Sequence, residues 1–155
     1  YTRVGSHGNF LSYSHIAHDC VVGDHVIFSN NGTLAGHVVV EDHAIVGGLA
    51  AVHQFCRVGK MSIIGGCAKI VQDVPPFMIV DGHPGKTRGV NKVGLERNGV
   101  PAEAIRALTD AYKIVFMSGL TLDKALDKVS LELPQSQELT HFVDFCRKSE
   151  RGIAR

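Results

Sequence analysis

From Val4 to Ile70 a branched or aromatic apolar residue stands at every sixth position: Val4, Phe10, Ile16, Val22, Phe28, Leu34, Val40, Val46, Val52, Val58, Ile64 and Ile70. Four residues after each comes a smaller one, namely Gly8, Ser14, Cys20, Val26, Gly32, Val38, Ala44, Ala50, Cys56, Ser62, Ala68 and Val74. An amphipathic helix repeats at about 3.6 residues and a half-buried strand at about two, so neither yields this spacing. A sustained hexapeptide period is the mark of a parallel β-helix, with one short strand and one corner per hexad. The expected fold is mainly β, a parallel β-helix over residues 1–76, with an irregular connector over 77–100 and a C-terminal helical domain over 101–155.

The connector is inferred from breakers. The hexad register fails at Pro75-Pro76, and Gly82, Pro84, Gly85, Gly89, Gly94 and Gly99 interrupt the next stretch of chain. Beyond Pro101, which suits a first helical turn, Ile105, Leu108, Tyr112 and Val115 recur at three and four and predict a helix over about Ala102 to Ser118. Thr121 can cap a second helix with the stripe Leu122, Ala125, Leu126 and Val129, closed by Pro134. Ser136 can cap a third that gathers Leu139, Phe142, Val143 and Cys146 on one face before Gly152. These helices are expected to cover the open end of the β-helix, where unpaired N–H and C=O groups would otherwise face solvent.

Charge narrows the partners. Sixteen Lys and Arg against fifteen Asp and Glu leave no global field for nucleic acid or an anionic membrane. No apolar run approaches the ~18 residues of a transmembrane helix, and the start YTRVGSHGN has no signal-peptide core, so the expected location is cytoplasmic. Cys20 and Cys56 fall at small inward sites and Cys146 in a helix, so they read as buried hydrophobes; Cys67 lies in another slot and receives no role.

If three hexads make one triangular coil, residues 18 apart stack at the spacing of neighbouring strands, about 4.8 Å. His18 then stacks with Gly36 and Gln54, Asp19 with His37 and Phe55, and Ala17 with Ala35 and His53, while His15 flanks the same corner. His53 also breaks a local rule, since the slot after the large apolar residue is otherwise small at Gly5, Ala17, Gly23, Ala35, Gly47, Gly59 and Gly65. A carboxylate beside an imidazole suits a general base, and a glycine one coil away can lend its N–H to an oxyanion. No Ser, Cys or Thr stacks beside His18 as a nucleophile, which favours direct transfer. His7, His25 and His43, also 18 apart, have no such company and read as a solvated surface ladder.

At these residues the chain resembles a known family. The segments HIAHDC (15–20), NNGTLAGHVVV (30–40), AVHQFCRVG (51–59), GGCAKIVQDVPPF (65–77) and GVNKVGLERNG (89–99) are similar to those of the O-acyltransferases that join an acyl carrier protein thioester to UDP-N-acetylglucosamine, the start of lipid A biosynthesis. The resemblance implies a left-handed coil, a homotrimer with active sites between subunits, and no cofactor beyond the acyl donor itself. It also implies roles: His18 as general base on the glucosamine 3-hydroxyl, Asp19 as its orienter and Gly36 as oxyanion donor. His15, His37, His53 and Gln54 would line the acyl and sugar-nucleotide pocket, Asn91 and Arg97 would lie near the nucleotide, and Gly66 would lie along the acyl chain. Arg147, Lys148, Arg151 and Arg155 would either dock the acidic carrier protein or, as expected here, solvate a helix end.

The resemblance covers the C-terminal part of the family pattern, so the chain is expected to be a piece of a longer run of coils. Two readings of another class stay open: a zinc enzyme with His18, His37 and His53 as ligands, like the gamma-class carbonic anhydrases, and an inactive trimerising module. Within the same chemistry the related N-acyltransferase competes, and the HIAHDC and AVHQF segments favour the O-acyl enzyme.

Overall fold

The computed structural model describes residues 1–155. Twelve two-residue strands, β1 to β12, follow the hexads at Arg3–Val4, Asn9–Phe10, His15–Ile16, Val21–Val22, Ile27–Phe28, Thr33–Leu34, Val39–Val40, Ile45–Val46, Ala51–Val52, Arg57–Val58, Ile63–Ile64 and Lys69–Ile70. They form three parallel stacks, β1-β4-β7-β10, β2-β5-β8-β11 and β3-β6-β9-β12. Every strand pairs with the third one along, so Val4 lies on Val22, Val22 on Val40 and His15 on Thr33. The solenoid has the coil length the spacing predicts.

The hexad works because its two apolar sites both point inward. Leu34, Val46, Val58 and Ile64 are fully buried, as are Val26, Val38, Ala44 and Cys56 at the smaller sites. Burying each such large side chain contributes about 1.5–3 kcal/mol, and the column repeats it coil after coil. The corners impose a second rule. The third residue after each large apolar one, from His7 to Cys67, takes a left-handed backbone with φ between 54° and 66°. None of these eleven residues is β-branched, and His, Asp and Asn, which tolerate this region best, fill six of them.

Residues 77–100 correct the expectation of an irregular connector. They form an antiparallel hairpin, β13 (Met78–Gly82) and β14 (Gly85–Val90), followed by a short helix α1 (Lys92–Arg97). β13 extends one face of the solenoid by pairing in parallel with β11. Met78 and Val80 are buried, and Gly85 is small by necessity, since a Cβ there would come within 2.6 Å of Ile70 Cδ1. Gly85 thus permits close packing of the hairpin on the solenoid.

Three longer helices come next, α2 (Ala102–Met117), α3 (Leu122–Glu132) and α4 (Gln137–Arg147). Thr121 and Ser136 cap α3 and α4 as expected, accepting from the N–H groups of Lys124 and Leu139. The helices build their own core around Leu108, Leu126, Leu139 and Phe142. They do not plug the solenoid. Its core ends on Val80 of the hairpin and on Ala154, so the hairpin and the last residues close it. Asp73 pairs with Ile153, its N–H donating to the Gly152 carbonyl while Ala154 N–H donates to its own carbonyl. Arg155 then donates to the Val115 and Leu120 carbonyls at 2.8 and 2.7 Å, tying the strap to α2 and the turn beyond it.

Candidate active site

His18 and Asp19 occupy the corner between β3 and β4, and Gly36 and His37 the corner one coil on, between β6 and β7. In a straight strand adjacent side chains point apart. Here the left-handed backbone of Asp19, φ 59°, turns the two together, and His18 Nδ1 lies 3.0 Å from Asp19 Oδ2. His37 Nε2 approaches the same oxygen at 3.9 Å, with its ring edge-on to that of His18. The His18 ring rests directly over Gly36. A Cβ on residue 36 would fall 2.6 Å from His18 Cε1 and 2.7 Å from Nε2, so only glycine admits this placement.

The electrostatics set the tautomer. The bond from His18 and the nearby charge of His37 both favour the ionised form of the Asp19 carboxyl. An ionised carboxylate only accepts, so His18 Nδ1 must be the donor and Nε2 keeps its lone pair. Asp19 is fixed further by its own N–H, which donates to Thr2 Oγ1 at 2.9 Å.

The corner N–H groups bind anionic oxygen elsewhere in the molecule. Two residues after the large apolar one, Ser6 N–H donates to Asp24 Oδ1 and Asp24 N–H to Asp42 Oδ1, both at 2.7 Å. At the register-equivalent Gly36 the carbonyl accepts from Phe55, but the N–H meets no acceptor. It is open to an oxyanion arising beside His18.

The other expected residues divide between this corner and more distant places. Gln54 stacks in register beyond Gly36 and is exposed. His15 and His53 lie on the adjoining sheet face, where with Thr33, Ala35, Ala51 and Lys69 they line a groove of about 430 Å³. The three-histidine zinc set therefore does not assemble; the ligand-bearing group is His18, Asp19 and His37. Gly66 sits on a different corner, between β11 and β12, where a Cβ would meet only the Gly48 carbonyl oxygen at 3.4 Å. Asn91 is buried, its Nδ2 donating to the Met61 carbonyl and its Oδ1 accepting from Gly94, so its side chain is committed to capping α1. Arg97 is exposed in the last turn of α1 and makes no ion pair.

Of the basic residues considered for docking, Arg147 pairs with Asp127, Arg151 donates to the Val71 carbonyl and Arg155 is tied as above; Lys148 has no such bond. His7, His25 and His43 do stack, with centroids 5.0 and 4.7 Å apart and nearly parallel rings. The spacing alone assigns no role to Phe55 or Thr2. Phe55, 54% exposed, stacks its ring on His37 at 4.7 Å, and Thr2 holds the Asp19 backbone. The eighteen-residue arithmetic reaches both, one coil beyond His37 and one coil before Cys20.

Comparison with known proteins identifies relatives of this fold and sequence. Residues 73–154 match the family described as UDP N-acetylglucosamine O-acyltransferase, domain 2. The acyl-(acyl-carrier-protein)–UDP-N-acetylglucosamine O-acyltransferases of Thiobacillus denitrificans and Thermodesulfovibrio yellowstonii are 47% and 48% identical to it over 99% and 100% of the chain. The chain spans about 60% of the length of each. Among solved structures, LpxA from Acinetobacter baumannii superposes with a TM-score of 0.93 at 44% identity, over 98% of this chain and 59% of that one. The UDP-N-acetylglucosamine acyltransferase of Arabidopsis gives 0.91 at 38% identity, over 98% and 56%. On this footing the chain belongs to the UDP-N-acetylglucosamine O-acyltransferase family.

Proposed function

We propose that the chain carries the catalytic corner of an enzyme that moves an (R)-3-hydroxyacyl group from acyl carrier protein to the 3-hydroxyl of UDP-N-acetylglucosamine, the first step of lipid A biosynthesis. The observation that carries this reading is the His18 ring pressed over Gly36 with its Nδ1 on Asp19. His18 Nε2 takes the hydroxyl proton as the sugar oxygen bonds to the thioester carbon. The carbonyl oxygen becomes an oxyanion on the Gly36 N–H, in the place a carboxylate oxygen takes at Ser6 and Asp24. Collapse breaks the C–S bond, and the proton on His18 passes to the leaving carrier thiolate. The acyl donor is the only activated group needed, so no cofactor enters.

His15, His37, His53 and Gln54 then line the acyl and sugar-nucleotide pocket, with the mostly apolar groove under His15 and His53 as part of it. Arg97 and the α1 backbone that Asn91 caps lie near the nucleotide in this reading. Gly66 borders the acyl chain. It stands on the corner between β11 and β12, at the opposite edge of the β3-β6-β9-β12 face from the His18 corner. In this reading the solenoid is left-handed and three copies form a homotrimer with the pocket between subunits. Residues 1–76 are assigned to the catalytic coil, 77–100 to the junction and 101–155 to a helical domain that the carrier protein approaches. No helix is long and apolar enough to cross a membrane; the enzyme is read as cytoplasmic, with no membrane or nucleic-acid partner.

His18→Ala tests the reading. Transfer to UDP-N-acetylglucosamine should fall by roughly 10²–10⁴-fold with circular dichroism and assembly unchanged; a near-parental rate would remove His18 from the mechanism. Gly66→Met, assayed with short and long 3-hydroxyacyl donors, should shift preference to the shorter, and an unchanged preference would detach Gly66 from the acyl path.

A further inference from the structure

We propose that His18, Asp19 and His37 form a binding site for a divalent transition ion, zinc foremost, and that its occupancy switches transfer off. The second half rests on the reading of His18 as the base. The three side chains each present one ligand atom, all within 4.8 Å of one another. A tetrahedral zinc with ligand bonds of about 2.0–2.2 Å holds neighbouring donor atoms roughly 3.3–3.5 Å apart. His18 Nδ1 to Asp19 Oδ2 is 3.0 Å and Asp19 Oδ2 to His37 Nε2 is 3.9 Å, values that bracket the required edge.

The donors are also free to close on an ion. All three side chains are open to solvent. Two imidazoles and one carboxylate suit zinc, cobalt or nickel and are poor partners for magnesium or calcium. The histidine ladder is the natural rival and fails on geometry. Lone pairs lie in the ring planes, and the rings of His7, His25 and His43 are stacked nearly parallel at 5.0 and 4.7 Å, so their nitrogens point side by side and do not converge.

The consequence for transfer comes from the tautomer. With its Nδ1 proton on Asp19, His18 offers the Nε2 lone pair to the hydroxyl. An ion on Nδ1 claims that nitrogen's lone pair, the ring proton moves to Nε2, and the base is gone without any net loss of protons. Asp19 becomes a ligand in the same event. The metal is therefore an inhibitor here and not a catalytic ion.

Binding and transfer are measured separately. The chelator-treated protein is titrated with Co²⁺ and then Zn²⁺, following the visible cobalt bands and the heat of binding. One equivalent should bind per chain, weakened by more than about 100-fold in His37→Gln and in Asp19→Asn, because loss of an outer-shell partner alone costs about 10–100-fold. His25→Gln should bind as the parent does. Absence of stoichiometric binding, binding untouched by His37→Gln, or binding lost in His25→Gln would each overturn the site, whatever the transfer rate. Zn²⁺ should also suppress transfer in proportion to occupancy, with recovery on adding EDTA. If the ion binds as described and transfer continues, the inhibition and the base role of His18 fall together while the site stands.

Discussion

At residue 36 a single hydrogen atom in place of a methyl group decides where the base sits. Gly36→Ala would drive a Cβ into the His18 ring, and that ring is an exposed side chain able to swing away. The expected outcome is a loss of transfer comparable to His18→Ala, while the melting temperature shifts little, as for surface changes worth about 0.5 kcal/mol or less. A melting temperature lowered as far as that of a core mutant would mean that Gly36 serves packing and not the base. The thiols give a second test at this scale. Burial pushes Cys56 up to about 11 and Cys146 up to about 12, because the thiolate is the form that desolvation penalises. Cys20 is fully buried and Cys67 exposed. A disulfide reagent at neutral pH should modify Cys67 alone in the native protein and all four cysteines after denaturation.

The unit of the solenoid is the hexad, and its corner carries a cost that the sequence pattern already respects. Leu49 takes φ 61° and is 62% exposed, so replacing it changes little packing. Leu49→Val should destabilise the fold, because a β-branched side chain adds crowding to a left-handed backbone that Leu already occupies, and Leu49→Asn should be neutral or better. Urea titrations of both would compare them; equal stability would show that the corner is not selective. A second element-level contact joins the solenoid to α4. Glu41 Oε1 lies 2.9 Å from His141 Nε2 and accepts the Lys60 N–H at 2.9 Å. Burial raises the Glu41 pKa, but the bond and charge of His141, the Lys60 N–H and the Arg57 charge outweigh it, and the carboxyl is held below the ordinary range. A lowered folded pKa contributes stability above the unfolded value and loses it as pH falls through the folded one. The parent should therefore melt more steeply with acid below about pH 4.5 than Glu41→Gln does.

This scale is also where sequence legibility divides. All twelve strands and the corner of His18, Asp19, Gly36 and His37 followed from one period, because each coil repeats the same chemistry and distance along the chain converts to distance in space. The helix caps at Thr121 and Ser136 were legible because capping is local. The hairpin over 78–90 was not. Its Gly85 answers to Ile70 on β12, a contact with no signature in the hairpin's own sequence. The burial of Asn91 was hidden for the same reason, since the acceptor of its Nδ2, Met61, lies on the solenoid.

The molecule as a whole is closed by a knot around one buried carboxylate. Asp73, 1% exposed, accepts the Arg57 N–H at 2.8 Å and the Ser149 hydroxyl at 2.6 Å while its backbone pairs with the terminal strap. Asp73→Ala would strand both donors in the interior, at about 1–3 kcal/mol each. Chemical denaturation should show a loss of roughly 2–5 kcal/mol, and Asp73→Asn, which keeps the acceptor oxygen, should recover part of it. A loss under about 1 kcal/mol for Asp73→Ala would place the closure elsewhere.

The eighteen-residue pitch gives the chain an unusual tolerance to one kind of rearrangement. Removing or duplicating a whole coil moves every later side chain by one rung and keeps each inward position inward, whereas a change of one residue turns Leu34 or Val46 toward solvent from that point on. Corners are thus interchangeable shelves, and the contents of a shelf are set by which coils are neighbours. A catalytic corner in such a frame can be assembled, lengthened or lost by copying coils, without a new loop or a new core being required.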